Sequence, residues 1–536
     1  MPLRSLSQSS FFDPEFAAPG CLVPGTMPWV LARHRRLLFP AWLFGGWRGS
    51  ERGRNAWPSS VLMTMVLLRW AEEGMSRLAS VRRAQTDLAW RAAMGLALDH
   101  MAPSERTLRD FEAFMRAPHP EVGRPRFHLF HEHVVRLCLE HKVVSEDAVW
   151  ATDSTPMWCY GAVLDTVRLL GDGLRSLARR WAKARRAALA SVANAWGLPW
   201  LLAPSTKGGL AIDWRDPEAR ADGLHRLASD VLRTIERIPR ELSGARASLR
   251  KSLLKRCALL AQVVRDDLET DEAGRLVIVR RVTADRLVSF TDPEARHGRK
   301  TRSRTFNGFK IHVVGDVVSG LLASLTVTPG NQHDSRPAHR LIRRASALVG
   351  GLRQLLADTA YGAATFRRRV RVELGVELLA PPPPNTAPKT DRFGKEDFAV
   401  DFETGVATCP NGEAAASSKQ VQANGGLCRK YKWPRQICDG CPLRSSCLGS
   451  GRRSREILLH PDEEEQRWSR EQWSRPEVRR LYRVRSQCER LIDRVTRHGG
   501  RRARAWGLQA AQFQVHAIAA ACNLKLLSRM LAAAPA

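Results

Sequence analysis

A mixed α/β sheet with helical additions is the fold class this sequence predicts, and two patterns predict it. Short β-rich runs alternate with helical ones in the order strand, hairpin, helix, strand, helix, strand. The chain's 536 residues also exceed one simple core, so about three or four domains follow.

Residues 1–57 read as irregular, with Trp, Gly and Arg among turn formers. From "WPSSVLMTMVLLRWAEEG" the pattern turns helical, with Pro58 at a helix start and Gly74 as a stop. Ser76 can cap a second helix through "SRLASVRRAQTDLAWRAAMG" and Ser104 a third, "SERTLRDFEAFMRA". A helix-turn-helix arrangement and a plain helical bundle are the two readings of this unit, 1–145. A strand, "DAVWATDSTPMW", then ends its apolar part at Asp153. Residues 166–285 read as a basic helical insertion. Two β-rich runs around Ser319–Gly320 make a hairpin over 306–331. "DSRPAHRLIRRASALVGG" is helical, "RQLLADTAYG" is a strand ending at Asp358, "ATFRRRVRVELG" is helical and "VELLAPPPP" is a last strand. Pro381 to Pro384 begin a linker into a cysteine-bearing stretch, 385–455. Residues 456–497 read as helical, and the tail from Gly507 is an apolar helix that docks on the core. The sheet core is thus assembled from 146–165, 286–384 and 456–536.

Charge narrows the partners. Lys+Arg number 85 against 54 Asp+Glu, a net +31, and Arg dominates. That balance suits a long polyanion, DNA, better than a small acidic metabolite, and Arg is the better phosphate fork. The N-terminus "MPLRSLSQSSFFDPEF" lacks the apolar stretch of a secretion signal, and the run "VLMTMVLL" is far too short for a membrane span. The expected setting is the cytoplasm, with no membrane partner. The densest basic stretches, "RHGRKTRSR" and "RHGGRRARAWG", flank the hairpin strand and the last charged helix. Lys300 and Lys310 are the DNA-contact candidates around the first.

Asp153 and Asp358 share a setting: each ends an apolar run and precedes a small hydroxylated residue, Ser154 or Thr359. Two such carboxylates at one sheet edge repel unless a cation neutralises them, so the pair predicts a divalent metal. Oxygen ligands favour Mg²⁺ or Mn²⁺ over zinc. Read as one helix, "LYRVRSQCERLIDRVTRHGG" sets Tyr482, Arg485, Glu489 and Thr496 within about 60° of one another at ~100° per residue. Glu489 is the candidate third carboxylate. The alternative is an ordinary Arg–Glu pair on a solvated helix. His333 and Asp334 are candidate extra site groups, although Asp334 reads more simply as a helix cap.

Eleven cysteines argue for metal ligands or core thiols before disulfides. Cys409, Cys438, Cys441 and Cys447 lie in "TCPNG…ICDGCPLRSSC", where a C-x2-C step and a C-x5-C step suit a structural Zn²⁺. Cys428 competes with Cys409, and free thiols are the other reading.

"ATDST", "LADTAYG" and the spacing Tyr482, Arg485, Glu489 resemble the three signature blocks of bacterial insertion-sequence transposases with an RNase H-like fold and an Asp-Asp-Glu triad. "RKTRSRTFNGFKIHVVGD", "TVTPGNQHDS" and "RRARAWGLQ…NLK" are similar to further parts of that family, so the resemblance covers roughly 58–530. A cysteine-rich insert before the last catalytic helix occurs in one subgroup of it. The chain departs from the pattern at Thr496, where the family often carries Lys, and Arg497 is the candidate substitute for that phosphate contact.

The resemblance implies metal-dependent DNA cleavage and strand transfer on two ions about 3.5–4 Å apart. Asp153, Asp358 and Glu489 would hold the ions, Tyr482 and Arg485 would hold DNA phosphate, and a homodimer would handle two element ends together. A metal nuclease that cuts without joining, and a catalytically inactive DNA-binding derivative, are the rival readings.

Overall fold

The computed structural model describes residues 13–533 apart from 48–55, 243–245, 282, 302, 383–391 and 424–425. Most of the linker expected after Pro381 therefore lies outside the described residues.

The central sheet is a mixed one of six strands. Strand β1 (Trp150–Trp158) lies in its middle. It is followed in the chain by a small hairpin apart from the sheet, β2 (Leu268–Thr270) and β3 (Leu276–Ile278). The rest of the sheet is β4 (Arg296–Arg299), β5 (Thr305–Asp316), β6 (Leu322–Pro329), β7 (Gln354–Leu356) and β8 (Glu377–Leu379). Strand β5 lies antiparallel to β1 on one side, with β6 and the short β4 beyond it. On the other side β7 and then β8 run parallel to β1. At Gly308 the backbone takes φ +152°, and a Cβ there would meet Met157 O at 2.2 Å, so only glycine lets β5 lie this close to β1.

Two apolar clusters sandwich this sheet. One face packs on the helices Ser335–Leu348 and Ala364–Leu374 through Leu341, Ile342 and Val370. The other face shares one continuous core with the N-terminal helices and the C-terminal helix Leu508–Ala533. The N-terminal unit thus has its apolar residues in the same cluster as β1, β5 and β6. Asn523 fastens the C-terminal helix to the sheet: its side chain accepts from Leu322 N–H at 3.0 Å and donates to Leu322 O at 2.9 Å. A buried ion pair joins three N-terminal helices, with Glu112 bridging Arg69 at 2.5 Å and Arg77 at 2.6 Å.

The 166–285 stretch has its own core, built by Thr166–Arg185, Leu189–Trp196, Pro217–Arg240 and Ala247–Asp267. The cysteine-bearing stretch likewise has a small separate cluster around Phe398, Tyr431 and Trp433. It carries the strands β9 (Ala399–Val400), β10 (Ala407–Thr408), β11 (Ser417–Ala423) and β12 (Gly426–Lys432), and β12 pairs with β13 (Glu456–Leu459), a strand at the start of the stretch 456–497 that reads as helical.

Four local readings need correction. Residues 14–44 are not irregular: they hold the short helices Pro14–Ala17, Met27–Arg33 and Arg35–Leu38 and a 3-10 turn. The helix expected from Ser76 stops at Thr86, because the Asp87 carboxylate accepts from Trp90 N–H and starts a new helix, Leu88–Met94. Strand β1 begins at Trp150 rather than at Asp147 and runs through Asp153 to Trp158. The helix read over 481–500 is interrupted: Pro476–Arg483 gives way to a 3-10 turn at Val484–Gln487 before Cys488–Val495 begins. Ser486 Oγ donates to Arg483 O at 3.0 Å, a local bond of the kind that competes with the regular helix ladder.

Candidate active site

The parallel pairing of β1 with β7 sets Ala151 opposite Leu356. Two residues on stand Asp153, still within β1, and Asp358, two residues past the end of β7 where the backbone is still extended at φ −84° and ψ −179°. The two aspartates are neighbours, facing one guanidinium. Asp358 is also the cap of the short turn Thr359–Tyr361.

The two carboxylates are used alike. Asp153 Oδ1 accepts from Ser154 N–H at 2.8 Å, and Asp358 Oδ1 accepts from Ala360 N–H at 2.9 Å. Their Oδ2 atoms both face one guanidinium: Arg485 Nη2 lies 3.3 Å from Asp153 and 3.9 Å from Asp358. So Asp358 does cap a turn, with one oxygen, while the other points into the site. Burial pushes both carboxyl groups above the usual carboxylate range, against the pull of Arg485. Burial pulls Arg485 down, but the field of Asp153, with Tyr482 and Asp358, holds it above its ordinary value.

A cleft of about 690 Å³ opens over these groups. Its walls include Asp153, Ser154, Asp334, Asp358, Arg485 and Glu489, with Lys300, Lys310 and Thr496 further round. Glu489 is exposed at the start of the helix Cys488–Val495, on the cleft wall. The other sequence candidates are distributed as follows. Tyr482 stacks edge-on against Trp473 at 4.7 Å. Lys310 is engaged inside the protein, donating to Asp334 at 2.9 Å and to Gln332 O at 3.1 Å. Arg497 pairs with Asp493 at 2.6 Å and is mostly exposed, whereas Lys300 is exposed on the cleft rim.

Asp334 is the residue that positional reasoning undervalued. It occupies the N-cap position of Ser335–Leu348, but with helical backbone angles, φ −65° and ψ −34°, and it caps nothing. Its carboxylate instead accepts from Ser154 Oγ at 2.9 Å and from Lys310. The signal was available in "QHDS", where an acidic residue closes a loop between a strand and a helix.

Oxygen donors from carboxylates are the chemistry of a hard divalent cation, and two half-buried carboxylates facing one point favour one. The donor set fits, with the Arg485 guanidinium lying against both aspartates. Among the described residues, no group of three or more Asp, Glu, His or Cys side chains is arranged as a ready metal cage. The four cysteines do converge: Cys409, Cys438, Cys441 and Cys447 all line one small cavity of about 30 Å³. Cys428 is turned elsewhere, fully buried with its thiol toward Ala423 O at 3.2 Å.

An RNase H-like sheet with paired acidic side chains over a basic cleft defines a nucleic-acid phosphoryl-transfer enzyme. Two family models agree with that class. The transposase DDE domain matches residues 280–524, and a transposase domain, DUF772, matches 43–113. The chain is an insertion-sequence transposase of the DDE type, a family that catalyses metal-dependent DNA cleavage and strand transfer. No curated protein and no solved structure matches it. The DDE match contains Asp358, Arg485 and Glu489 but begins after Asp153. The helical insertion separates Asp153 in sequence from the rest of the domain, and the pairing of β1 between β5 and β7 returns it.

Proposed function

We propose that Asp153, Asp358 and Glu489 are the metal-holding carboxylates of this transposase and act on the phosphodiester at each end of an insertion element. The observation that carries this is that Asp153 and Asp358 each offer Oδ2 to one and the same guanidinium nitrogen, that of Arg485. Mg²⁺, with Mn²⁺ as its substitute, is the ion the oxygen set favours. When bound, a pair of such ions supplies the Lewis acidity that activates the attacking oxygen and steadies the leaving one.

The chain's own groups orient the substrate. Ser154 and Ala360 amides fix the two aspartates, so that the reactive oxygens face the cleft without side-chain searching. Asp334 holds Ser154 and Lys310 in place beneath them. Arg485, with Tyr482 beside it, would be free to turn from the aspartates to a DNA phosphate were their charge taken up by a cation. Lys300 and Arg497 lie on exposed ground and take the flanking backbone. The N-terminal unit, 1–145, joins in holding DNA, a homodimer brings two element ends together, and a Zn²⁺ on Cys409, Cys438, Cys441 and Cys447 stabilises the 385–455 module. Action on the cell's own DNA makes the cytoplasm its workplace.

The test is the double substitution Asp153→Ala and Asp358→Ala. Cleavage of a supercoiled plasmid carrying the element ends in Mg²⁺ is expected to vanish while DNA binding persists. Cleavage that survives both changes removes these residues from the chemistry.

A further inference from the structure

Beyond the cleft, strand β1 continues into a surface that the reaction described above leaves unused. Ser154, Pro156 and Trp158 alternate onto one side of β1 and Asp153 and Thr155 onto the other, and the four residues before Met157 line the cleft from both sides. Trp158 is 45% exposed and packs edge-on against the cleft-lining Phe306, with ring centres 6.5 Å apart. Beside it stand Tyr160, 46% exposed, and Trp506, 60% exposed, in mutual contact at 5.5 Å. Three aromatic side chains left in water at one place are costly unless something covers them.

Their backbone is rigidly held. Trp158 N–H donates to Arg501 O at 2.9 Å and Trp158 O accepts from Ala503 N–H at 2.8 Å, so β1 is stitched to the basic loop. The fully buried Asp292 carboxylate accepts from Gly507 N–H at 2.9 Å and faces the amides of Tyr160 and Gly161. Gly507 takes φ +89°, which turns the chain so that Trp506 projects outward. Gly161 is packed so closely that a Cβ would meet Ser289 Oγ at 2.5 Å. Around the aromatics, Arg299, Lys300, Arg501, Arg502 and Arg504 are exposed, and none has an acidic partner within ion-pair distance among the described residues.

Exposed, preorganised aromatic rings amid unpaired cations are the chemistry that takes single-stranded DNA: stacking on the bases, cations on the phosphates. Bases inside a duplex have both faces covered by their neighbours, so only unpaired nucleotides can use such rings. We infer that Trp158, Tyr160 and Trp506 form a stacking platform for unpaired DNA next to the scissile phosphate. Asp153 to Trp158 is five residues of strand, about 17 Å at ~3.3 Å per residue. A DNA strand at ~3.4 Å per nucleotide crosses that span in about five nucleotides. The inference rests on the cleavage-site reading above, because it fixes where the DNA enters.

The test uses the full chain in EDTA, so that no cleavage occurs, and fluorescence anisotropy of a labelled oligothymidylate of about 20 nucleotides beside a duplex of equal length. The triple variant Trp158→Ala, Tyr160→Ala, Trp506→Ala is expected to lose about tenfold or more in single-strand affinity. Its duplex affinity should move less than about twofold, with the salt dependence unchanged because no charge is removed. Trp506→Phe, which keeps a ring, should stay within about threefold of the parent, whereas Trp506→Ala alone should lose more than that; the single changes serve if the triple variant folds poorly. Unchanged single-strand affinity, or an equal loss on duplex, overturns the platform. The Asp153→Ala, Asp358→Ala protein should still bind the oligothymidylate, so failure of the platform and failure of the catalytic assignment give different results.

Discussion

The Arg485 guanidinium stands 3.3 Å from the Asp153 carboxylate and reaches Asp358 with the same nitrogen. A cation of the protein's own thus neutralises two carboxylates that burial would otherwise penalise. Arg485→Gln should therefore make the metal-free protein less stable by about 1–2 kcal/mol, as an uncompensated pair of charged groups is left behind. Mg²⁺ should restore more stability to this variant than to the parent, because ligand binding to the folded state raises its melting point. Thermal melts in EDTA and in Mg²⁺ measure both, and equal melting behaviour of variant and parent would count against Arg485 as the resident cation.

The cysteine module makes a separate prediction. Protein purified under reducing conditions should carry close to one zinc per chain by elemental analysis, and Cys438→Ser should lose it. The 385–455 strands should then become protease-sensitive while the sheet core persists, since the module has an apolar cluster of its own. Zinc-free protein with an intact module would return the four thiols to the free-thiol reading.

Glu112 is almost fully enclosed and is shared by Arg69 and Arg77. Glu112→Ala leaves the Arg69 guanidinium, which burial already pulls down to about 10, without its partner. A loss of about 3–5 kcal/mol is expected for breaking such a pair from one side. Because these helices share the sheet's core, chemical denaturation should show one destabilised transition and not the separate melting of an N-terminal unit.

His128, His131 and His516 meet between the helices Arg126–Glu140 and Leu508–Ala533, with Arg340 and Arg344 of Ser335–Leu348, and Arg124 and Glu132, around them. Burial lowers His128 to about 3 and His131 to about 4, and His516 well below its ordinary value. The unfolded chain gains these protons near pH 6.5 while the folded chain refuses them until about pH 4 or below, so stability falls as pH drops through that window. Each histidine contributes up to ~1.4 kcal/mol per pH unit. His128→Phe should flatten the decline between about pH 6.5 and about pH 4; an unchanged slope would exclude His128 from it.

Much of the site was legible because it is written locally. "LLADTAYG" shows an apolar run broken by an acid, and β7 does stop just before Asp358. Asp153 sits inside a strand whose C-terminal end, Trp158, is the one the sequence marks. Its strand continues through Pro156, a residue that usually ends strands for want of an N–H donor. Pro156 pairs with Lys310 on the β5 side, and the described pairing with β7 is limited to Ala151 and Leu356, so no ladder bond to β7 is lost there. Asp334 was misjudged because capping preference is positional, whereas its helical φ and ψ turn the carboxylate toward Ser154 and Lys310. The break at Val484–Gln487 escaped notice because 3-10 and α-helical turns share short-range spacing. The aromatic surface at Trp158, Tyr160 and Trp506 could not be read at all, since three distant segments meet only through the Asp292 anchor and the β1 pairing with Arg501–Ala503.

The central claim is that Asp153 and Asp358, the two carboxylates facing Arg485, are the residues that hold a divalent cation. Crystals soaked in Mn²⁺ and measured for anomalous scattering test it directly. The account predicts a peak between the Oδ2 atoms of Asp153 and Asp358, with Arg485 moved away from both. A Mn²⁺-loaded crystal with no peak there, and Arg485 still against Asp153, would contradict it.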